Sequence, residues 1–179
     1  MPKMQLTTAA GCQLAIGHYP RFDYNACGGG GEGSLEAADG DGWCGLTLDP
    51  NGLTIPPLDW RSTRFLGLPL PPGLRITIEP DELSGRWQQG SGALELNFRA
   101  RFRFTAFGIA APELFVATRL TSGSVTSQMH TAEGHPLDER GDGTVVGVAL
   151  VPATGTFAFD RFLGLPCEAL AVLQCRLSR

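Results

Sequence analysis

The chain has 179 residues, enough for one domain that buries a core without metal or disulfide support. Its 24 glycines and 13 prolines exclude most long helices and suit many strands joined by tight turns. The net charge of −4, from 14 basic and 18 acidic residues, gives no basic field of the kind that gathers nucleic acid.

No run approaches the ~20 apolar residues of a spanning helix, so no transmembrane segment is expected. The start, Met1 to Leu6, lacks a signal peptide's apolar stretch, and the expectation is a protein that is not secreted. Five scattered cysteines (Cys12, Cys27, Cys44, Cys167, Cys175) form no CxxC pair, which favours a reduced, cytosol-like compartment. A bridge between Cys27 and Cys44 is the alternative.

From the amino end, Cys27-Gly28-Gly29-Gly30-Gly31-Glu32-Gly33 has the glycines of a phosphate loop. It lacks the Lys-Ser/Thr ending and a following helix, so a flexible hairpin tip or bulge is expected. Leu74 to Glu79 alternates apolar and polar residues and ends at Pro80. Leu83 to Gln88 follows, and Gly90-Ser91-Gly92 supplies a turn. Leu94 to Thr105 alternates furthest. Leu94, Leu96, Phe98, Ala100, Phe102 and Phe104 fall on one face; Glu95, Asn97, Arg99, Arg101, Arg103 and Thr105 fall on the other. A strand of that length suggests a strongly curved sheet or a barrel wall. Leu114–Leu120 and Ser124–Thr131 read as a pair joined through Ser122-Gly123, and Val145–Val151 reads as a β-branched strand. Ala169–Leu177 closes the chain, with a length that also permits a helix. The fold class predicted is all-β: a single antiparallel barrel or sandwich over residues 1–179.

One hexapeptide occurs twice. Arg64-Phe65-Leu66-Gly67-Leu68-Pro69 returns as Arg161-Phe162-Leu163-Gly164-Leu165-Pro166, and Gly45–Pro50 loosely matches Gly147–Pro152 upstream. This pattern predicts two related halves, about 12–90 and 110–179, joined by the long strand. The preferred reading of the hexapeptide is a corner, with Phe and both Leu anchored in the core and Gly supplying a special backbone angle. The alternative is a pair of symmetric apolar lips around a ligand or partner surface.

Recognisable chemistry is sparse. His130 and His135, five apart around Glu133, do not have zinc spacing, and His18 stands alone. No Gly-x-Ser-x-Gly elbow occurs. Asp138, Glu139 and Asp142 lie in a loop without the EF-hand order. No catalytic residue, metal site or cofactor is therefore assigned. The one candidate binding surface is the polar face of the long strand, Arg99, Arg101 and Arg103 with Arg86 and Arg75 beside them. It would meet lipid headgroups, an acidic partner or a carboxylate ligand, unless Glu79 and Glu95 balance it.

At Arg61–Pro72, and again at Val146–Pro152 with Phe162–Pro166, the chain resembles a small β-rich family of cyanobacteria and plastids that has no assigned enzymatic activity. The resemblance implies a photosynthetic host and work at or near the thylakoid. The location it implies is cytoplasmic or on the stromal side of that membrane.

Three functions are expected in this order. The first is a non-catalytic binding or assembly module on a photosynthetic complex or thylakoid surface. The second is a β-barrel carrier of an apolar small molecule such as a lipid or pigment. The third is an enzyme whose residues converge only in three dimensions, with His130, Asp138 or Arg119 as guesses.

Overall fold

A computed structural model describes residues 2–179. Its strands are β1 (Lys3–Thr8), β2 (Cys12–Ile16), β3 (Phe22–Tyr24), β4 (Gly30–Leu35), β5 (Trp43–Leu48), β6 (Thr63–Phe65), β7 (Leu68–Pro69), β8 (Leu74–Gln88), β9 (Leu94–Ala106), β10 (Ile109–Ala110), β11 (Leu114–Thr121), β12 (Ser124–Thr126), β13 (Thr131–Glu133), β14 (Asp142–Val151) and β15 (Cys167–Ser178). One seven-residue helix, α1 (Phe157–Leu163), sits between β14 and β15. The chain is all-β, as its alternation and turn chemistry predict.

Thirteen strands form one antiparallel sheet, and the sheet closes on itself. Eight of them run in the order β1-β4-β5-β8-β9-β11-β14-β15, and β15 returns to β1. The wall is forked. β15 pairs β1 through Cys175–Ser178 and β2 through Ala169–Val172, so β1 and β2 act as one strand broken at Ala9–Gly11. β1 leads to β4 and β5, while β2 leads to β3, β6 and β7. That second branch reaches back to β8 through a bridge between Leu58 and Ile76.

The alternating strand does not end at Pro80. Leu74–Glu79 and Leu83–Gln88 join as β8, with a bulge between Pro80 and Glu82. Proline has no ladder donor, so a bulge is where a long strand tolerates it. The extra residue changes the side-chain parity. Ile76 and Ile78 before it, and Leu83 after it, all face inward.

The glycine-rich stretch is not a free tip. Gly30, Gly31 and Gly33 belong to β4, between β1 and β5. A Cβ on Gly30 would overlap the carbonyl oxygen of Leu6, and one on Gly33 that of Thr47. Here glycine serves close strand approach rather than mobility. The pairing expected for Leu114–Leu120 with Ser124–Thr131 also differs. β11 pairs β9, whereas β12 pairs β13 in a separate two-stranded ribbon. Ser122 turns the chain between them: its backbone N–H donates to the Leu94 carbonyl, and its hydroxyl accepts from the Leu94 N–H at 3.0 Å. The closing segment is a twelve-residue strand, because β14 and the β1–β2 edge offer ladders on both its sides.

That ribbon explains why β14 is apolar on both faces. Val145, Ala149 and Val151 point inward, while Val146 and Val148 point outward against Leu170, Val172 and Ala15. Val125 and Ala132 of the ribbon cover this outer patch. Inside, the half of the ring near β4 and β5 is filled by Leu6, Leu46, Leu48, Leu94, Leu96, Leu120, Val145, Cys175 and Leu177, and Leu137 plugs that end from the His135–Gly141 loop.

Candidate ligand cavity

The other half of the ring is not filled. Side chains of β2, β3, β6, β8, β9, β11, β14 and β15 surround a cavity of about 510 Å³. Residue sizes account for the space. Gly147, Ala149, Ala169 and Ala171 line the β14–β15 wall, opposite Phe22, Phe65, Ile76, Phe102 and Phe104. Two neighbouring strands with almost no side-chain volume leave room that the phenylalanines of β9 and the second branch do not take up. Gly147 is forced, since a Cβ there would press on the Thr118 hydroxyl, the Arg119 carbonyl and Leu120.

The lining offers almost no hydrogen bonding to a guest. Thr118 Oγ1 donates to the Val148 carbonyl at 3.1 Å, and the Tyr19 hydroxyl donates to the Phe162 carbonyl at 2.5 Å. Among the described residues no charged side chain lines the space. Tyr24 closes the floor of the second branch, its hydroxyl donating to the Pro56 carbonyl, and burial pushes its phenol up from the ordinary range. A 510 Å³ apolar cavity lies within the range of small-molecule sites. It is also more than three times the ~150 Å³ that admits benzene.

The open end is where β2, β9 and β14 finish and β8, β11 and β15 begin. Both copies of the repeated hexapeptide lie there, in different conformations. In the first, Thr63–Phe65 and Leu68–Pro69 form a hairpin turning through Leu66 (φ 53°) and Gly67 (φ 79°). In the second, Arg161–Leu163 end α1, Gly164 caps it at φ 74°, and Pro166 follows a cis bond. The sequence repeat is thus not a repeat of local structure. Nor are Phe and both Leu anchored as expected of a corner. Leu66 and Leu68 are about 70% exposed (71% and 69%), and Phe162 is 67% exposed, while Leu163 is buried. What the copies share is their place. Phe65, Phe162 and Leu163 all line the cavity.

α1 is short and is held by its own loop. The Asp160 carboxylate accepts from the Thr154 hydroxyl and N–H and from the Gly155 N–H. Those bonds hold its carboxyl below the usual range, the Thr154 hydroxyl contributing most. Phe159 of α1 meets Phe104 edge-on, with ring centroids 5.7 Å apart.

The arginine surface predicted from the sequence lies on the outer face, well separated from the cavity by the sheet itself. Arg99 pairs with Glu82 at 2.8 Å; Arg101 pairs with Asp81 at 3.2 Å and Glu79 at 3.3 Å. Arg103 pairs with Glu113 at 2.7 Å and Glu79 at 3.3 Å. Arg86 and Arg119 share Glu95, at 2.7 and 2.6 Å, and Arg86 stacks over Trp43. The bulge in β8 completes the set of acids: Glu79 and Asp81 share a face by alternation, and the register shift brings Glu82 onto it as well. Hydrogen bonds from Arg86 and then Arg119 hold the Glu95 carboxyl below the usual range. The face is a lattice of paired charges. A wall of this composition does not face hydrocarbon. No helix is long and apolar enough to cross a membrane among the described residues.

The remaining candidates lie apart. His130 is in the turn of the outer ribbon, with Nε2 buried and unpartnered. Asp138 ties its own loop, accepting from the Arg140 and Asp142 N–H groups. Arg119 is held by Glu95 on the outer face. No three or more His, Cys, Asp or Glu side chains come together as a metal site among the described residues. All five cysteines are free, Cys27 exposed and Cys12, Cys44 and Cys175 buried. Burial raises the Cys12 thiol and pushes that of Cys175 up to about 12.

Sequence reasoning missed the cavity's small-residue wall. Its signal was available in the inward set Gly147, Ala149, Ala169 and Ala171, which is unusually small for strands so apolar. Comparison with known proteins finds no matching family model, no similar curated protein and no matching solved structure.

Proposed function

We propose that this protein is a β-barrel carrier of one apolar small molecule, held in the cavity at the open end of the ring. The observation that supports this reading is the lining: about 510 Å³ bounded by Phe, Leu, Ile, Val, Ala and Gly, with its two hydroxyls already bonded to carbonyls. A site built this way rejects charged and strongly polar guests, which would lose water without regaining hydrogen bonds. It suits a hydrocarbon-bodied cargo such as a lipid tail or a pigment, with any polar group left at the mouth. The paired charges outside keep the loaded protein compatible with water.

The test is binding of 1-(N-phenyl)naphthylamine, an uncharged probe that fluoresces in apolar surroundings, to protein stripped by organic extraction and refolded. Saturable one-to-one binding is expected. At a probe concentration one hundred times Kd, stability rises by about 2.7 kcal/mol, or roughly 5–11 °C in Tm for a chain of this size. Absence of saturable binding to the folded protein overturns the proposal.

A further inference from the structure

We infer that the open end docks on a lipid bilayer bearing anionic headgroups, which brings the cavity mouth into contact with the acyl-chain region. The inference rests on the carrier reading for its purpose, though not for its measurement. The observation is a crown of exposed apolar side chains. Leu66 and Leu68 sit on the β6–β7 hairpin, Phe107 and Ile109 on the β9–β10 turn, and Phe157 and Phe162 on α1, each between 67% and 80% exposed. Soluble surfaces scatter such residues singly. Here they stand on three separate tips around one opening, and the inner neighbours Phe65, Phe104, Phe159 and Leu163 continue the apolar surface into the cavity.

The form of the crown selects the occupant. Separate projecting tips do not present one continuous face to a rigid partner, which would need a matching hole for each. A bilayer is fluid and closes around projections. A second copy of the chain would meet tip against tip and seal both mouths. The charges agree with this choice. Arg64 and Arg161 each immediately precede an exposed or cavity-lining Phe-Leu pair, and neither has a carboxylate at ion-pair distance among the described residues. Arg64 donates only to the Gly67 carbonyl of its own hairpin. Among the acids at this end, Glu113 is paired with Arg103, Asp160 is hydrogen-bonded by Thr154 and Gly155, Asp23 stands across the ladder from Arg64 and accepts from Gln13, and Glu168 lies at the start of β15. The loops of the opposite end carry Asp39, Asp41, Asp138 and Glu139. Cationic side chains beside apolar and aromatic ones are the composition that seats a protein at a headgroup layer, the chains going in and the guanidinium groups meeting phosphate.

The experiment is co-sedimentation with vesicles of phosphatidylcholine alone and of phosphatidylcholine with phosphatidylglycerol. The full chain should sediment with the anionic vesicles. Leu66→Ser/Phe107→Ser/Phe157→Ser should weaken that binding at least about tenfold, and Arg64→Gln/Arg161→Gln should remove the preference for anionic vesicles. Because these side chains are exposed, the variants should keep the far-ultraviolet spectrum and Tm of the parent. A single Phe107→Trp should show a blue-shifted emission on adding vesicles, which reads the rim without the triple change. Ala171→Phe, which fills the cavity and leaves the rim alone, should bind vesicles like the parent, so loss of cargo and loss of docking are scored separately. Failure of the parent to sediment with either vesicle overturns the inference. So does undiminished binding by the rim triple, or a rim-dependent dimer seen by sedimentation velocity in place of vesicle binding.

Discussion

Filling the cavity from its small-residue wall should stabilise the protein, and the sign of that change is the critical measurement. Ala171 is on β15, pairs Leu14 and Gly147 across the ladders, and lines the cavity. Changing it to Phe adds a ring that withdraws roughly 100 Å² of apolar surface from water, about 2.5 kcal/mol at ~25 cal/mol/Å². Ordering the side chain returns about 0.5–1 kcal/mol, which leaves a gain of roughly 1.5–2 kcal/mol. For a chain of this size that raises Tm by about 3–8 °C. Cys175→Phe is the control. It lies on the same strand and face, about 13 Å deeper at ~3.3 Å per residue, among Leu side chains that fill the closed end. Overpacking there should cost about 1–3 kcal/mol. Thermal melts by circular dichroism, with naphthylamine titrations alongside, give both numbers. If Ala171→Phe lowers Tm as far as Cys175→Phe does, the open half is packed and the cavity argument fails. If it raises Tm yet leaves probe binding intact, the probe binds elsewhere.

Three more outcomes follow from the geometry. Gly30→Ala should destabilise by more than about 2 kcal/mol, or prevent folding, because φ is +123° and the new methyl would overlap the Leu6 carbonyl; chemical denaturation measures it. Glu95→Gln should cost about 1 kcal/mol at pH 7. Since the Arg pair lowers the folded carboxyl, that contribution is present above the unfolded value of ~4.3 and fades as pH falls through the folded one. The parent–variant difference in denaturation midpoint should therefore shrink towards pH 3. With a maleimide at neutral pH, Cys27 should react in the folded protein while Cys12, Cys44 and Cys175 wait for unfolding; mass spectrometry of timed samples shows the order.

The strands were legible where one face is wet and the other dry. Leu94–Thr105 alternates without a break because its outer face carries the ion-pair lattice and its inner face the core and cavity, so period alone gave both faces correctly. β14 gave no alternation, because the outer ribbon covers one of its faces and the ring encloses the other. Pro80 reads as the end of the strand that begins at Leu74, because a proline inside a run signals a strand end, and the bulge that accommodates it leaves no mark in sequence. Closure of the ring and the fork at Ala9–Gly11 depend on pairings between residues as distant as Gln5 and Ser178, which no local pattern encodes. The hexapeptide gives a sharper lesson. Six identical residues fold as a hairpin between β3 and β8 and as a helix end before β15, so the surroundings decide their conformation. The arginine stripe is visible in sequence, but its acids are not fully so, since Glu82 joins Glu79 and Asp81 on one face only through the bulge.

β15 has a consequence for how the chain is made. It is the strand that joins β14 to both branches of the forked wall. Until it is in place, everything before Cys167 is an open sheet with β14 as a bare, apolar edge. During synthesis that edge emerges well before its partner. At ~5–20 residues per second, the interval is on the order of seconds. The nascent protein therefore passes through a stage with an unpaired hydrophobic strand. How well it reaches its closed form in a cell depends on that last stretch arriving before another edge does.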